Sequence, residues 1–338
     1  MLTKTLTTAN IIQDLQKISS GTITDSMNGS NITTFRIGGP LEVFVEPQTE
    51  EEVRQIVLYA SHHSIPLHVV GNGSNLLILD GGIKGIVLSL KKIKFIKQEQ
   101  NHLVVGAGET LPSLSIRCIK LGLTGLEWSN GIPGTVGGAV VMNAGAFGGM
   151  MQDVVEEVYG FNKRGEKVVL KNHELGFGYR KSILQNNEFI ITSVKLRLRS
   201  GDCEKIKETI KKIAAIRDAT QPKGKKCAGS IFAIPNIYEI GNKNFKWRIM
   251  RKIFSLLNKP QLFIPYMIEK YNLPRRSGGA MLEYNNFNWI SNVDNATASD
   301  VLNLSEQVRK ILEHELKIKL NYEIRIVGKE KCNYSATS

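Results

Sequence analysis

Hydrophobic and polar positions change period along the chain, and each change marks an element. Residues 8 to 18 read as a short amphipathic helix. Residues 41 to 46 (LEVFVE) read as a strand. Thr49 then stands as an N-cap with Glu52 as its capping-box partner, and a helix is predicted to run to about His62. Residues 67 to 70 (LHVV) form a second strand, which enters the turn Gly71-Asn72-Gly73-Ser74-Asn75 and leaves it as the apolar segment Leu76 to Leu79. Further strands fit Gly85 to Leu90 and Leu103 to Gly106, and a helix fits 111 to 121. Residues 190 to 198 (IITSVKLRL) alternate as a half-buried strand does. The turn Ser200-Gly201-Asp202 and a lysine-rich helix over 203–217 follow. Near the end, Ser299 is read as the cap of a helix with Val301, Leu304, Val308, Ile311 and Leu312 on one face. A final strand is predicted from Ile318 to Val327, with Ile318, Leu320, Tyr322, Ile324 and Ile326 on one side and Glu323 and Arg325 on the other.

Composition narrows the class. The 338 residues are 42% hydrophobic and 22% charged, enough to bury a core and too apolar for a disordered chain. Length points to about two domains. No apolar run reaches the roughly 18 to 20 residues that span a bilayer, and the first residues lack the apolar region of a signal peptide. Cys118, Cys203, Cys227 and Cys332 are widely spaced with no CxxC pair, and no HExxH pattern occurs. A soluble, cytoplasmic, thiol-reduced chain with no metal site is expected. The 44 Lys+Arg against 31 Asp+Glu give a net charge of +13. The excess gathers in the second half, but it is mixed with Glu and apolar residues and lacks interleaved aromatics. That favours a solvated face or an anionic small-molecule partner over nucleic acid, and with no long apolar run no membrane partner is expected.

Five segments could carry chemistry. Gly71-Asn72-Gly73-Ser74-Asn75 lies between two apolar strands, where consecutive N–H groups form an anion nest; most glycine-rich turns are only turns. It is not a Rossmann fingerprint, because a strand-like segment follows it. The second segment is Gly131-Ile132-Pro133-Gly134-Thr135-Val136-Gly137-Gly138-Ala139, with Asn143-Ala144-Gly145 after it. So many glycines mean backbone packed against something flat or phosphorylated, or strands packed tightly on each other. Two such loops together bring a nucleotide cofactor into contention. Tyr179-Arg180-Lys181-Ser182, Ala228-Gly229-Ser230 and Glu323 are each unremarkable alone: a surface arginine, a turn serine and a solvent-facing carboxylate.

Taken in order, these segments resemble the UDP-N-acetylenolpyruvoylglucosamine reductase family. The resemblance covers about residues 30 to 236 and 264 to 328. It rests on Thr34-Phe35-Arg36-Ile37-Gly38-Gly39, the Gly71–Leu77 loop, Gly122 to Glu127, Gly131 to Gly148, Gly178-Tyr179-Arg180-Lys181-Ser182, Gln221-Pro222 and Gly229-Ser230. Asn295-Ala296-Thr297-Ala298 and Glu323-Ile324-Arg325-Ile326-Val327-Gly328 complete it. It implies an α+β fold: a two-lobed FAD-binding domain of the vanillyl-alcohol-oxidase type, then a smaller α+β substrate domain. The divisions are an N-terminal helix at 1–20, FAD-binding lobes at about 21–90 and 91–200, and a substrate domain at 201–338 carrying a basic insertion at about 237–263. The absence of an obvious extra tyrosine loop resembles the shorter of the family's two subtypes.

The resemblance further implies FAD as cofactor, NADPH as co-substrate and reduction of an enolpyruvyl UDP-sugar to UDP-N-acetylmuramate by a monomer. The implied cofactor-binding residues are Arg36, Gly71, Asn72, Gly73, Ser74, Asn75, Leu76, Gly131, Ile132, Pro133, Gly134, Thr135, Gly137, Gly138, Asn143 and Gly145. The implied catalytic residues are Arg180 and Glu323 at the substrate carboxylate and Ser230 as proton donor. Lys223, Lys225 and Lys226 would attract the anionic substrates. The chain departs from the family where Ala233 and Ile234 replace a Lys-Asn pair and where Glu283 to Trp289 lacks the usual basic residues; the lost Asn is expected to weaken nucleotide-sugar binding. The alternative is a divergent paralogue that keeps FAD but acts on another anionic substrate or has no turnover.

Overall fold

The computed structural model describes residues 6–221, 224–233, 249, 252, 271–283, 288–317 and 319–330. The expected insertion at 237–263 (apart from residues 249 and 252), Lys223, Ile234 and most of the 284–289 stretch lie outside them. The chain forms two compact units. One holds residues 1–28, 40–73 and 83–219, the other residues 29–39, 74–82 and 220–338. The units are thus drawn differently from a single cut near 200. The helix after residue 202 belongs almost wholly to the first unit, and the chain leaves that unit twice before residue 83.

Two larger sheets and two short strand pairs lie in the first unit among the described residues. A four-stranded sheet has the order Thr22–Thr24, Leu41–Glu46, Ile83–Ser89, Leu67–Val70. The first pair is antiparallel and the other two are parallel. Parallel pairing needs a crossover, and the helix Glu50–His62 supplies it. That helix starts at Thr49, whose hydroxyl accepts the Glu52 N–H at 3.1 Å. The reciprocal half of the expected capping box is absent. The Glu52 carboxylate instead accepts the Gln48 N–H at 2.7 Å and bonds to Ser19 and Ser20. Those bonds hold it below the usual carboxylate range, against a burial that alone would raise it.

The second sheet is antiparallel and five-stranded: Lys167–Lys171, Val155–Asn162, Phe189–Arg197, His102–Gly106, Ile96–Glu99. Val158, Val194, Leu196, Leu103 and Val105 face a core shared with Val53, Ile56 and Leu114. The N-terminal helix Thr8–Ile18 adds Ile11 and Leu15.

In the second unit the helix Ala298–Leu316 buries Val301, Leu304, Val308 and Leu312, while Ile311 is half-buried. Its cap is Thr297, not Ser299: the Thr297 hydroxyl accepts the Asp300 N–H at 3.0 Å. The predicted strand 318–327 is two strands. Asn321–Tyr322 pairs with Phe232–Ala233, and Arg325–Val327 pairs in parallel with Leu76–Ile78. The chain changes partner at Glu323-Ile324, which breaks the ladder there.

Candidate functional site

In the first unit the two glycine-rich loops meet. A Cβ on Gly71 would overlap Thr135 Oγ1, so only glycine allows this approach. Asn72 Nδ2 donates to the Pro133 carbonyl at 2.6 Å. Thr135 caps the short helix Val136–Val141 by accepting the Gly138 N–H at 3.3 Å. This helix was not expected, because Gly137 and Gly138 give it poor helix propensity. Gly137 is required by packing: a Cβ there would lie 2.9 Å from the Ala107 Cβ. Leu111 N–H to the Gly134 carbonyl (3.0 Å) and Val136 N–H to the Glu109 carbonyl (2.7 Å) fasten the loop to the start of the helix Leu111–Leu121.

Sequence reading missed the brace under this loop. Arg217 Nη2 donates to the Gly131 carbonyl at 2.8 Å. Burial lowers the guanidinium's pKa from its ordinary value. In sequence Arg217 is one more cation on a lysine-rich helix, and nothing marks it out.

Asn143, Gly145 and Arg180 form a second cluster in the same unit. Asn143 sits at φ 40 and Arg180 at φ 52, both left-handed. Asn143 Nδ2 donates to the Gly178 carbonyl at 2.9 Å, and Ser182 Oγ to the Val141 carbonyl at 2.6 Å. Gly178 and Lys181 exchange backbone bonds, leaving Tyr179-Arg180 at the tip of a tight turn. Arg180 Nη1 reaches the Gly145 carbonyl at 3.2 Å, and its guanidinium lies 5.2 Å from the Tyr179 ring centroid.

Arg36, Ser74, Asn75, Leu76, Ser230 and Glu323 lie in the second unit. Arg36, at φ 55, is on a turn whose Phe35 and Arg36 carbonyls accept from Asn292 Nδ2 at 3.3 and 3.2 Å. Thr34 Oγ1 donates to the Cys227 carbonyl at 2.7 Å, three residues before Ser230. Ser230 bridges Trp289, and Glu323 N–H donates to the Ile231 carbonyl at 2.8 Å. Ser230 and Glu323 are therefore on adjoining segments. Asn288 holds the Ser230 segment by taking the Phe232 N–H at 2.9 Å and giving to its carbonyl at 2.8 Å. Gly229, at φ 80, has open space where a Cβ would stand.

Residues 41–171 match a family model described as an FAD binding domain. Residues 221–327 match the C-terminal domain of UDP-N-acetylenolpyruvoylglucosamine reductase. The reductase of Alkaliphilus metalliredigens is 37% identical over 298 residues, covering 88% of this chain and 90% of that one. The reductase of Clostridium novyi is 33% identical over 304 residues, covering 90% and 91%. The chain belongs to the UDP-N-acetylenolpyruvoylglucosamine reductase family. The crystal structure of the Thermus caldophilus reductase has a TM-score of 0.70 at 32% identity, covering 91% of this chain and 99% of that one.

The Gly71 loop fits the cofactor of this reductase family. Among the described residues, no acceptor takes the N–H groups of Gly71, Asn72, Gly73, Ser74 or Asn75. Gly73 is buried, and a buried N–H without an acceptor is costly. Five successive donors suit the diphosphate of FAD. The reductase family's Lys after the Ser-x-Phe motif is Ala233 here; it sits in the short strand opposite Asn321. Glu283, at the start of the other altered stretch, is buried, with Lys225 Nζ 3.5 Å from its Oε1. Cys118, Cys203 and Cys227 form no disulfide, and no cluster of three metal-binding side chains occurs among the described residues. No helix among them is long and apolar enough to cross a membrane.

Proposed function

We propose that this chain is an NADPH-dependent reductase that converts the enolpyruvyl group of UDP-N-acetylenolpyruvoylglucosamine to UDP-N-acetylmuramate, a step in peptidoglycan precursor synthesis. The supporting observation is identity of 37% to a reductase across nearly the whole of both chains, spanning the FAD-binding and C-terminal matches alike.

When bound, FAD would supply the hydride, with NADPH as its source. By the family resemblance the Gly71–Leu76 and Gly131–Gly138 loops, with Arg36, Asn143 and Gly145, would hold it. Hydride addition at C3 of the enolpyruvyl group drives negative charge onto the substrate carboxylate. Arg180 meets that charge with a guanidinium fixed by its left-handed backbone and the Gly145 carbonyl. Such preorganisation lowers the barrier because little rearranges as charge develops. Glu323 would act as a polar partner of the substrate carboxylate. Ser230 Oγ then gives its proton to C2. A hydroxyl is a weak acid, so the step depends on a strongly basic carbon opposite it and on a proton returning from solvent. Lys225 and Lys226 draw in the diphosphates. The enzyme works as a cytoplasmic monomer.

The test is anaerobic: NADPH reduces the flavin, then the enolpyruvyl UDP-sugar is added. Rapid reoxidation by the native chain is expected, and Ser230→Ala should slow that half-reaction about 10²- to 10⁴-fold while leaving NADPH oxidation intact. A flavin that NADPH reduces and the sugar does not reoxidise would replace this reading with a paralogue of altered substrate, a possibility opened by Ala233 and Glu283.

A further inference from the structure

Asn75 closes the glycine loop, yet its side chain turns to Glu323. Asn75 Nδ2 donates to the Glu323 carbonyl at 3.1 Å. The Asn75 carbonyl accepts the Arg325 N–H at 2.9 Å. The parallel ladder Leu76–Ile78 with Arg325–Val327 starts immediately after this contact. On its other side, Glu323 gives its N–H to the Ile231 carbonyl, beside Ser230, at 2.8 Å. Both backbone groups of Glu323 are thus committed, one to the segment of the proton donor and one to Asn75. This happens where the chain changes sheets, and neither flanking ladder runs through residue 323.

We propose that Asn75 is a positioning residue for Glu323. Its amide fixes the peptide from which the Glu323 carboxylate projects, so the last residue of the cofactor loop acts on the substrate step through Glu323. The inference rests on the reductase reading for what Glu323 does, and on geometry for how it is held.

Two measurements test it. In Asn75→Ala, reoxidation by the enolpyruvyl UDP-sugar should slow about tenfold, the worth of one well-placed hydrogen bond, and by a larger factor than flavin reduction by NADPH. On a Glu323→Ala background the same substitution should add nothing. Hydrogen exchange, which needs no turnover, should accelerate about tenfold at the amides of 323–325. Equal slowing of both half-reactions, full additivity with Glu323→Ala, or unchanged exchange overturns the proposal. So does loss of flavin from Asn75→Ala and Asn75→Ser alike, because Asn75 would then act on the cofactor. If the native flavin is not reoxidised by the sugar, the reductase reading fails separately, and exchange alone decides whether Asn75 holds Glu323.

Discussion

Gly71 shows how much a single missing side chain decides. Its Cβ position is already taken by the hydroxyl of Thr135, the residue that caps the Val136–Val141 helix. Gly71→Ala must push the two loops apart or turn Thr135 away from the Gly138 N–H. We expect a loss of about 1 to 3 kcal/mol in stability, typical of overpacking, together with weakened flavin retention. Urea unfolding and flavin content after dialysis would read both, and an unchanged midpoint with full flavin would show that the loops separate at no cost. Gly148 is the control, because a Cβ there meets nothing within 4 Å; its φ of 86 still strains any other residue, so some loss is expected there without loss of flavin. At this scale the sequence was legible at the glycines, whose residue type announces close approach; the ties made by Asn72 and Thr135 emerge only from the structure. The sequence was silent on Arg217 and Asn288, whose side chains act on distant backbone. It was also silent on the left-handed conformations of Arg36 and Arg180, which no residue-type preference announces.

The helix Ala298–Leu316 carries two caps, only one of them local. Thr297 takes the Asp300 N–H, while Asp80, more than two hundred positions away, accepts the Ala298 N–H at 2.8 Å and the Ser299 N–H and hydroxyl at 3.0 and 2.8 Å. Ser299 is therefore a partner of the cap and not the cap, which sequence spacing alone did not reveal. We expect Asp80→Ala to cost about 2 kcal/mol, since a charged acceptor is removed from a helix start, and Ser299→Ala clearly less; equal midpoints for the two variants would refute the ranking. Asp300 adds a pH dependence. Burial would raise its carboxyl, but hydrogen bonds from the Thr297 and Gly279 N–H groups outweigh it and hold the carboxyl below its usual range. A lowered folded pKa means the stabilisation is present above the unfolded value of about 3.9 and disappears as pH falls through the folded one. Asp300→Asn should flatten the acid limb of the stability curve, and an unchanged limb would assign acid sensitivity elsewhere. Element legibility followed regularity of period. The strand within 190–198 was read from its sequence alternation, although residues 190–194 are all buried and only its end alternates. Val155–Asn162 was not: register shifts at Val155/Glu157 and Tyr159/Gly160 destroy its alternation. Lys167–Lys171 is a short edge strand flanked by lysines, a composition that reads as loop. The last strand was read as continuous because its even positions stay apolar, although it serves two sheets.

Over the whole molecule the charge of +13 belongs to function more than to fold. Exposed lysines such as Lys205, Lys211 and Lys212 sit on the outer face of a helix whose Ile206, Ile210 and Ile213 are buried. Side chains of this kind add little stability, because exposed ion pairs contribute about 0 to 1 kcal/mol. Their field reaches further. Both proposed substrates are polyanions, and a cationic surface raises their encounter rate through a field that salt screens. Salt separates the two roles. The screening length falls from about 10 Å at 0.1 M to about 3 Å at 1 M. The kcat/KM values for NADPH and for the UDP-sugar should therefore both fall as salt rises, with kcat nearly constant, because steering acts before the chemical steps. Lys211→Glu with Lys212→Glu should reproduce part of that fall at low salt and leave the unfolding midpoint within about 0.5 kcal/mol of native. If kcat/KM is instead flat across the salt range, the lysines are a solvated face with no steering role. The affinity for the anions must then come from fixed contacts, of which the proposed Arg180 contact with the sugar's carboxylate is one.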